Sequence, residues 1–416
     1  MKKIFFKTFG CRTNLYDTQI MKQNIKDYEI CQKEEDADII VINSCTVTNS
    51  ADSTVRGYIN SVKKRNSFVK VILGGCGAFS KGEELFKKGK VNGVFGHSEK
   101  EKINELLKKE SFFSLGDLNS LDKSIVERFE DKTKAFIKIQ EGCDFRCSYC
   151  IIPFVRGNAR SFDEEKILAQ IKKLASNGFG EFVLTGTNIG SYGKDKNTNI
   201  ASLLKKIGLI RGVRRVRLGS LEPIQIDDEF KEILEEPWLE RHLHIALQHT
   251  NEEMLKIMHR RNSFKRDLKL FEFLAEKGFA LGTDFIVGHP GESKERWEDG
   301  LKNFKRLPIT HLHAFTYSKR DNTKSALMKD EVKGDIAKKR LKILKEIVKN
   351  KNMEFRKKHK NIPLQILVEE RKDNLFYGYD QYFNKVAVES NENIEKEWIT
   401  AANYEIKEDL NYVRFR

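Results

Sequence analysis

Three cysteines within eight residues constrain this chain more than any other feature. They are Cys143, Cys147 and Cys150, in the run Glu141-Gly142-Cys143-Asp144-Phe145-Arg146-Cys147-Ser148-Tyr149-Cys150. Three thiolates at this spacing can hold three irons of a cubane cluster and leave the fourth iron without a protein ligand. Ferredoxin-like sites normally offer four thiolates, and structural zinc sites close all four positions. No fourth Cys or His lies nearby in the sequence, and the spacing fits neither a disulfide framework nor a zinc knuckle. An open iron suits a cluster that binds a substrate or cofactor instead of only passing electrons.

The 416 residues are enough for two or three domains, each with its own core. No apolar run reaches the length that spans a bilayer, and Met1 to Asn14 has no signal-peptide pattern, so a cytoplasmic protein is expected. Seven cysteines in a reducing compartment point to metal or catalysis instead of disulfides. The formal charge of +15, from 76 Lys/Arg against 61 Asp/Glu, favours a polyanionic partner such as nucleic acid.

Residues 1–110 alternate strand and helix. Lys3–Phe9, Asp38–Asn43, Val69–Leu73 and Val91–Phe95 read as strands, with helices at Tyr16–Lys26, Ser50–Lys64 and Glu99–Lys109. This pattern predicts a doubly wound parallel sheet. Cys11, Cys45 and Cys76 each fall just after one of the first three strands. Ligands bind outside the carboxyl ends of the strands in such sheets, so three distant cysteines would converge on one edge, which suggests a second three-thiolate site, with three unrelated buried cysteines as the bland alternative. Cys31 does not follow the pattern and reads as an ordinary thiol.

Residues 111–132 read as a linker. Residues 133–360 hold six strand candidates, Ala135–Gln140, Glu181–Gly186, Arg214–Ser220, His242–Gln248, Leu281–Gly288 and His311–Ser318, followed by a long Lys-rich helix. Six βα units without an antiparallel signal predict a partial (β/α)6 barrel, with the cysteine loop on its catalytic face. In the helix, Ile336, Leu341, Leu344, Ile347 and Val348 form an apolar stripe for packing. Residues 361–416 switch to short strands, Leu364–Val368, Asn374–Tyr379, Lys385–Glu389 and Asn411–Phe415, and predict a small five-stranded β-barrel.

The cysteine loop resembles that of the radical-SAM superfamily. Its continuation, Cys150-Ile151-Ile152-Pro153-Phe154-Val155-Arg156-Gly157-Asn158-Ala159-Arg160-Ser161, is similar to the methylthiotransferases within it. So are the blocks Phe9-Gly10-Cys11-Arg12-Thr13-Asn14, Asn43-Ser44-Cys45-Thr46-Val47-Thr48 and Gly74-Gly75-Cys76. The resemblance covers the whole chain and implies two 4Fe-4S clusters. Cys143, Cys147 and Cys150 would hold the radical-generating cluster, and Cys11, Cys45 and Cys76 an auxiliary cluster that carries or supplies sulfur. S-adenosylmethionine would serve as methyl donor and as source of a 5′-deoxyadenosyl radical. The electron and sulfur donors are unidentified.

Three branches of the family modify threonylcarbamoyladenosine in tRNA, isopentenyladenosine in tRNA, or an aspartate of a small-subunit ribosomal protein. Thr46-Val47-Thr48 with Ala51-Asp52 and Arg56 resembles the threonylcarbamoyl branch, as do the run from Leu184 to Gly193, Ser220-Leu221-Glu222-Pro223 and the run from Leu312 to Ser318. The implied reaction places a methylthio group on adenine C2 beside the anticodon. The same chemistry on the other two substrates is the alternative. A non-enzymatic iron–sulfur RNA-binding or redox-sensing protein is a rival of another class. A monomer is expected.

Thr185, Gly186, Glu222 and Asp284 sit at barrel strand ends and read as cofactor contacts, with turn formation as the bland alternative. Gln248 resembles a family glutamine, although the surrounding Ile245-Ala246-Leu247-Gln248-His249-Thr250 lacks the usual proline and small turn. Arg156 and Arg160 read as contacts to a substrate phosphate or a cofactor carboxylate, with a structural pair to Asp163 equally open. Gly288-His289-Pro290-Gly291-Glu292 resembles a family turn in which His289 has no assigned role. Arg211, Arg214, Arg215 and Arg217 suit a phosphate-binding surface or a solvated face. The last domain resembles the TRAM module, yet residues 361–416 carry 7 Lys/Arg against 11 Asp/Glu. Its aromatics Phe376, Tyr377, Tyr379, Tyr382 and Phe383 either stack bases or form a core.

Overall fold

The computed structural model describes residues 1–129 and 132–415. The N-terminal part is a six-stranded sheet in which every pairing is parallel. In spatial order the strands are Glu29–Ile30, Lys3–Thr8, Ile39–Ser44, Lys70–Gly75, Gly93–Phe95 and Phe112–Ser114. The four expected strands are present. The two edge strands are two and three residues long, too short to show alternation in sequence. Phe112–Ser114 lies in the stretch read as a linker. The expected helix at Glu99–Lys109 is instead a 3-10 turn, His97–Lys102, followed by the short helix Ile103–Leu106.

Both faces of the sheet are covered. Helix Asn49–Arg65 starts where the Thr48 hydroxyl accepts the Ala51 N–H at 3.1 Å. It buries Val55, Ile59 and Val62 against Ile40, Ile42, Val71 and Leu73. The alternate residues Ile39, Val41 and Ile72 face the other way, onto Met21, Ile103 and Leu106. The first strand has the second on one side and the third on the other. The chain therefore reverses its direction across the sheet beside that strand and opens a crevice at the carboxyl ends of the first and third strands.

The middle of the chain forms six parallel strands in two sets. Ala135–Lys138, Glu181–Thr185 and Arg215–Leu218 form one, and His242–His244, Ala280–Val287 and His311–Thr316 the other. The parallel bridges Val216–Leu239 and Leu221–Ile245 join the sets. This is the expected open, partial barrel. Helix Arg12–Gln23 of the N-terminal part packs on the strand Ala135–Lys138, and its Tyr16 and Ile20 belong to the barrel's own hydrophobic core. Helix Gly334–Lys358 packs on the strand His311–Thr316 at the other edge. It buries Leu344 and Val348, while Ile336 of the expected stripe is exposed.

The C-terminal part is a curled sheet of six strands, not five. In spatial order they are Trp398–Ala401, Leu364–Lys372, Leu375–Tyr379, Lys385–Glu389, Asn411–Arg414 and Glu405–Ile406. It wraps a core that includes Ile366, Phe376, Val386 and Val413, and a bulge at Val368/Glu370 bends its longest strand. Phe376 and Tyr382 are buried, so they build structure and do not stack bases. Of the four arginines read as a phosphate-binding surface or a solvated face, Arg211 and Arg214 are exposed and two are neither. Arg215 and Arg217 are buried against Glu181 and Glu240. They donate to Gln365 O at 2.5 Å and Asp380 O at 2.9 Å, so they seat the C-terminal sheet on the barrel instead of meeting RNA. None of the described helices is long and apolar enough to cross a membrane.

Candidate active site

The loop that carries Cys143, Cys147 and Cys150 leaves the barrel through Gly142, whose φ is +74°. A Cβ there would lie 1.9 Å from the Asn158 carbonyl oxygen, so only glycine fits. The loop is pinned from the far side of the barrel. The Ser148 N–H donates to Met258 O at 3.0 Å, and the Ser325 N–H donates to Ser148 O at 2.8 Å. The two serine hydroxyls are 2.8 Å apart, and His289 Nε2 lies 2.7 Å from the Ser325 hydroxyl. His289 thus has a role that its sequence position did not announce: it anchors the cysteine loop through two serines.

Two polar side chains reach the loop's sulfurs. Asn188 Nδ2 is 3.6 Å from Cys143 Sγ, and Gln225 fixes the Asn188 carboxamide by donating to its Oδ1 at 2.7 Å. Arg260 Nη1 is 3.6 Å from Cys147 Sγ, while the Arg260 guanidinium forms an ion pair with Glu222. Glu222, read as a cofactor contact, therefore meets the loop through Arg260. Burial raises the Cys143 thiol and pushes Cys150 up to about 12. Free, these thiols hold their protons, and iron must displace them to bind.

The second cysteine set sits in the crevice of the N-terminal sheet. Cys11 caps helix Arg12–Gln23, Cys45 follows the strand Ile39–Ser44, and Cys76 opens helix Cys76–Lys87. A Cβ on Gly10 would fall 2.6 Å from Cys45 Cβ and 3.2 Å from its sulfur, so glycine is what lets the Cys11 and Cys45 loops touch. Asn14 ties the same loops by donating to Phe9 O at 2.8 Å and Ser44 O at 3.0 Å. Burial pushes Cys76 up to about 12 and also raises Cys45, with Cys11 adding to the effect on both. Three thiols converging at strand ends are a donor set that fits an iron–sulfur cluster.

Both cysteine loops line one cavity of about 260 Å³. Val47 and Thr48 come from the Cys45 loop, Tyr149, Cys150 and Ile152 from the other, and Gln248, Asp284, Phe315 and Tyr317 from the barrel. Gln248 and Asp284 are thus brought to the same cavity. Gln248 has φ +69°, a costly conformation for a residue with a side chain. It is held there by hydrogen bonds from its N–H to Asp284 O and from Ile286 N–H to its own carbonyl, both 2.9 Å. Asp284 faces His244 Nε2 at 3.2 Å and His313 Nδ1 at 3.7 Å. Burial works to raise its carboxyl, but the two imidazoles outweigh burial and hold it below the usual carboxylate range. Neither histidine was legible as a site residue, because each lies in an apolar strand run.

Other expected contacts are placed elsewhere. Thr185 is buried, with its hydroxyl 3.4 Å from that of Thr13 in the N-terminal part. Gly186 backs onto Gln140, where a Cβ would meet the carbonyl oxygen at 2.7 Å. Arg160 donates to the backbone carbonyls of Ser120, Arg156 and Asn158. Arg156 is 2% exposed, which rules out contact with an RNA phosphate. Its acids are Asp17 and Glu141, not Asp163.

Comparison with known proteins agrees with this arrangement. Residues 3–96 match the uncharacterized protein family UPF0004 and residues 137–303 the radical SAM superfamily. A Helicobacter pylori protein with a provisional methylthiotransferase name is 53% identical over 420 residues, with 100% of both chains covered. The threonylcarbamoyladenosine tRNA methylthiotransferase MtaB of Aquifex aeolicus is 36% identical, covering 91% of this chain and 95% of that one. A tRNA-2-methylthio-N(6)-dimethylallyladenosine synthase of Hydrogenobaculum is 32% identical, covering 90% of each. Among solved structures, the radical S-adenosylmethionine methyltransferase TsrM of Kitasatospora setae shares the fold. It has a TM-score of 0.59 at 14% identity and covers 79% of this chain and 77% of that one. The open barrel with its three-cysteine loop defines a radical-SAM enzyme, which uses S-adenosylmethionine and a 4Fe-4S cluster. The chain belongs to the radical-SAM methylthiotransferases, in the MtaB-like branch.

Proposed function

We propose that this enzyme adds a methylthio group to adenine C2 of N6-threonylcarbamoyladenosine in tRNA, using two 4Fe-4S clusters. The observation that carries the reading is one cavity lined by Cys150 of the barrel-side loop and by Val47 and Thr48, which follow Cys45. A reaction that must both activate a C–H bond and deliver sulfur to the same carbon needs two sites within reach of one substrate atom. When bound, the cofactors supply radical generation, methyl donation and sulfur. The chain's residues do the holding. Cys143, Cys147 and Cys150 are the ligands on the barrel side, and Cys11, Cys45 and Cys76 those on the sheet side.

Gln248 and Asp284 present polar groups to the cavity, and Phe315 and Tyr317 give it an apolar wall that excludes water. The names of the Aquifex aeolicus and Bacillus subtilis relatives support threonylcarbamoyladenosine over the dimethylallyl substrate. The net charge of +15 supports RNA. The test is mass spectrometry of tRNA nucleosides from cells lacking the protein and from complemented cells. Loss of methylthio-threonylcarbamoyladenosine, with the unmodified precursor accumulating, is expected. An unchanged level of that nucleoside overturns the substrate assignment, and loss of the methylthio-dimethylallyl nucleoside instead would transfer it.

A further inference from the structure

Arg156 lies six residues beyond Cys150, on the barrel side, yet its guanidinium ends inside the other cysteine site. Its Nε donates to Cys76 Sγ at 3.1 Å. Its Nη1 donates to Asp17 Oδ2 at 2.9 Å and Glu141 Oε1 at 3.0 Å, and its Nη2 to Asn14 Oδ1 at 2.6 Å. Asn14 and Asp17 stand on the helix that Cys11 caps, and Glu141 stands two residues before Cys143. One planar fork is therefore bonded to a ligand of the sheet-side site, to the helix behind a second ligand, and to the strand that feeds the barrel-side loop. No other side chain type spreads donors this way.

The charges around it are balanced without the sulfur. Lys100, Lys138 and Arg156 meet Asp17, Asp122 and Glu141 in one buried network. The Nε–sulfur bond is thus an addition to a network already closed in charge. Reducing an iron–sulfur cluster adds negative charge to it. An N–H bond to a ligand sulfur, and a cation held in a dry interior, stabilise that charge and raise the potential.

We propose that Arg156 is a positioning residue that raises the reduction potential of the auxiliary cluster. The inference rests on the two-cluster reading above. It assigns Arg156 to neither S-adenosylmethionine nor RNA.

The test isolates the auxiliary cluster by replacing Cys143, Cys147 and Cys150 with Ala. Iron content and a dithionite titration followed by electron paramagnetic resonance are then compared for Arg156, Arg156→Lys and Arg156→Gln. The lysine variant keeps the charge and loses the fork, so it remains informative if Arg156→Gln does not fold. The expected result is unchanged iron with a potential shifted to more negative values, further for Gln than for Lys. Retained iron with an unshifted potential overturns the proposal. Loss of the cluster from Arg156→Lys also overturns it, since the residue would then serve folding alone. Absence of iron before Arg156 is touched overturns the two-cluster reading itself, so the two failures are distinct.

Discussion

The two cysteine sites each offer three thiols and are built in opposite ways. The sheet-side site gathers Cys11, Cys45 and Cys76 from three separate strand ends, and its geometry is the geometry of a topological switch crevice. The barrel-side site carries all three cysteines on one loop, and that loop has no helix or strand of its own between Glu141 and Ile152. The first is set by the fold. The second must be held by tethers, and the tethers are the Ser148–Ser325–His289 chain and the Arg260–Glu222 pair. A site made by topology is read from strand positions, whereas a site made by tethers is read only where the partners are already known.

The largest expected effect tests whether the two sites divide the work. Replacing Cys143, Cys147 and Cys150 with Ala should abolish both cleavage of S-adenosylmethionine and the methylthio product. Replacing Cys11, Cys45 and Cys76 with Ala should abolish the product and leave cleavage in place. Measuring 5′-deoxyadenosine alongside product decides it, and loss of cleavage in both variants would erase the distinction.

The next effect concerns how the sheet-side site is carried on the barrel. Tyr16 is 1% exposed and belongs to the barrel's core. Tyr16→Ala should cost about 3–5 kcal/mol, as other large-to-small aromatic changes do, and chemical denaturation of the protein should show it. A cost below about 1 kcal/mol would mean the helix is not anchored there.

Acid should weaken the protein, and His97 carries the sheet side's share of that loss. His97 is buried, no partner for either ring nitrogen is found among the described residues, and burial, aided by the Arg156 charge, lowers it to about 3. In the unfolded chain a histidine titrates near 6.5, so the unfolded state binds a proton that the folded state refuses between about 6.5 and 3. Stability is then lost as pH falls through that range. His97→Gln should remove about 2 kcal/mol of the decline between pH 7 and pH 5, where the neighbouring acids stay ionised. Parallel stability curves for the two proteins would contradict this.

The smallest effect sharpens the account of the tethers. Ser325→Ala removes one hydroxyl from the His289–Ser148 chain and should cost about 1–3 kcal/mol through the partners left unpaired. It should also speed loss of iron from the barrel-side site to a chelator, with the sheet-side iron unaffected. Equal release from both sites would mean the chain is not a tether of that loop.

Much of this architecture was legible in the sequence, and the reasons are specific. Strands such as Ile39–Ser44 and Glu181–Thr185 are buried throughout, so they stand out as apolar runs between helices. Cys11, Cys45 and Cys76 could be placed because strand ends fix where a side chain can go. For Arg156 the structural pair that stood equally open is the one formed, but with Asp17 and Glu141 in place of Asp163, because Asp17 is 139 residues away and meets it only when the sheet packs on the barrel. Arg215 and Arg217 suited either a nucleic-acid surface or a solvated face, and the C-terminal sheet that covers them makes them neither. Charge counted along a chain does not reveal which cations are buried by packing between its parts.

The central claim is that the chain holds two clusters, one at each cysteine set. The most direct measurement is Mössbauer spectroscopy of anaerobically reconstituted protein, with the two triple-alanine variants beside it. The account predicts two four-iron clusters in the intact protein and one in each variant, with only the Cys143, Cys147 and Cys150 cluster changing its spectrum when S-adenosylmethionine is added. A single cluster in the intact protein, or both clusters lost from either variant, would contradict it.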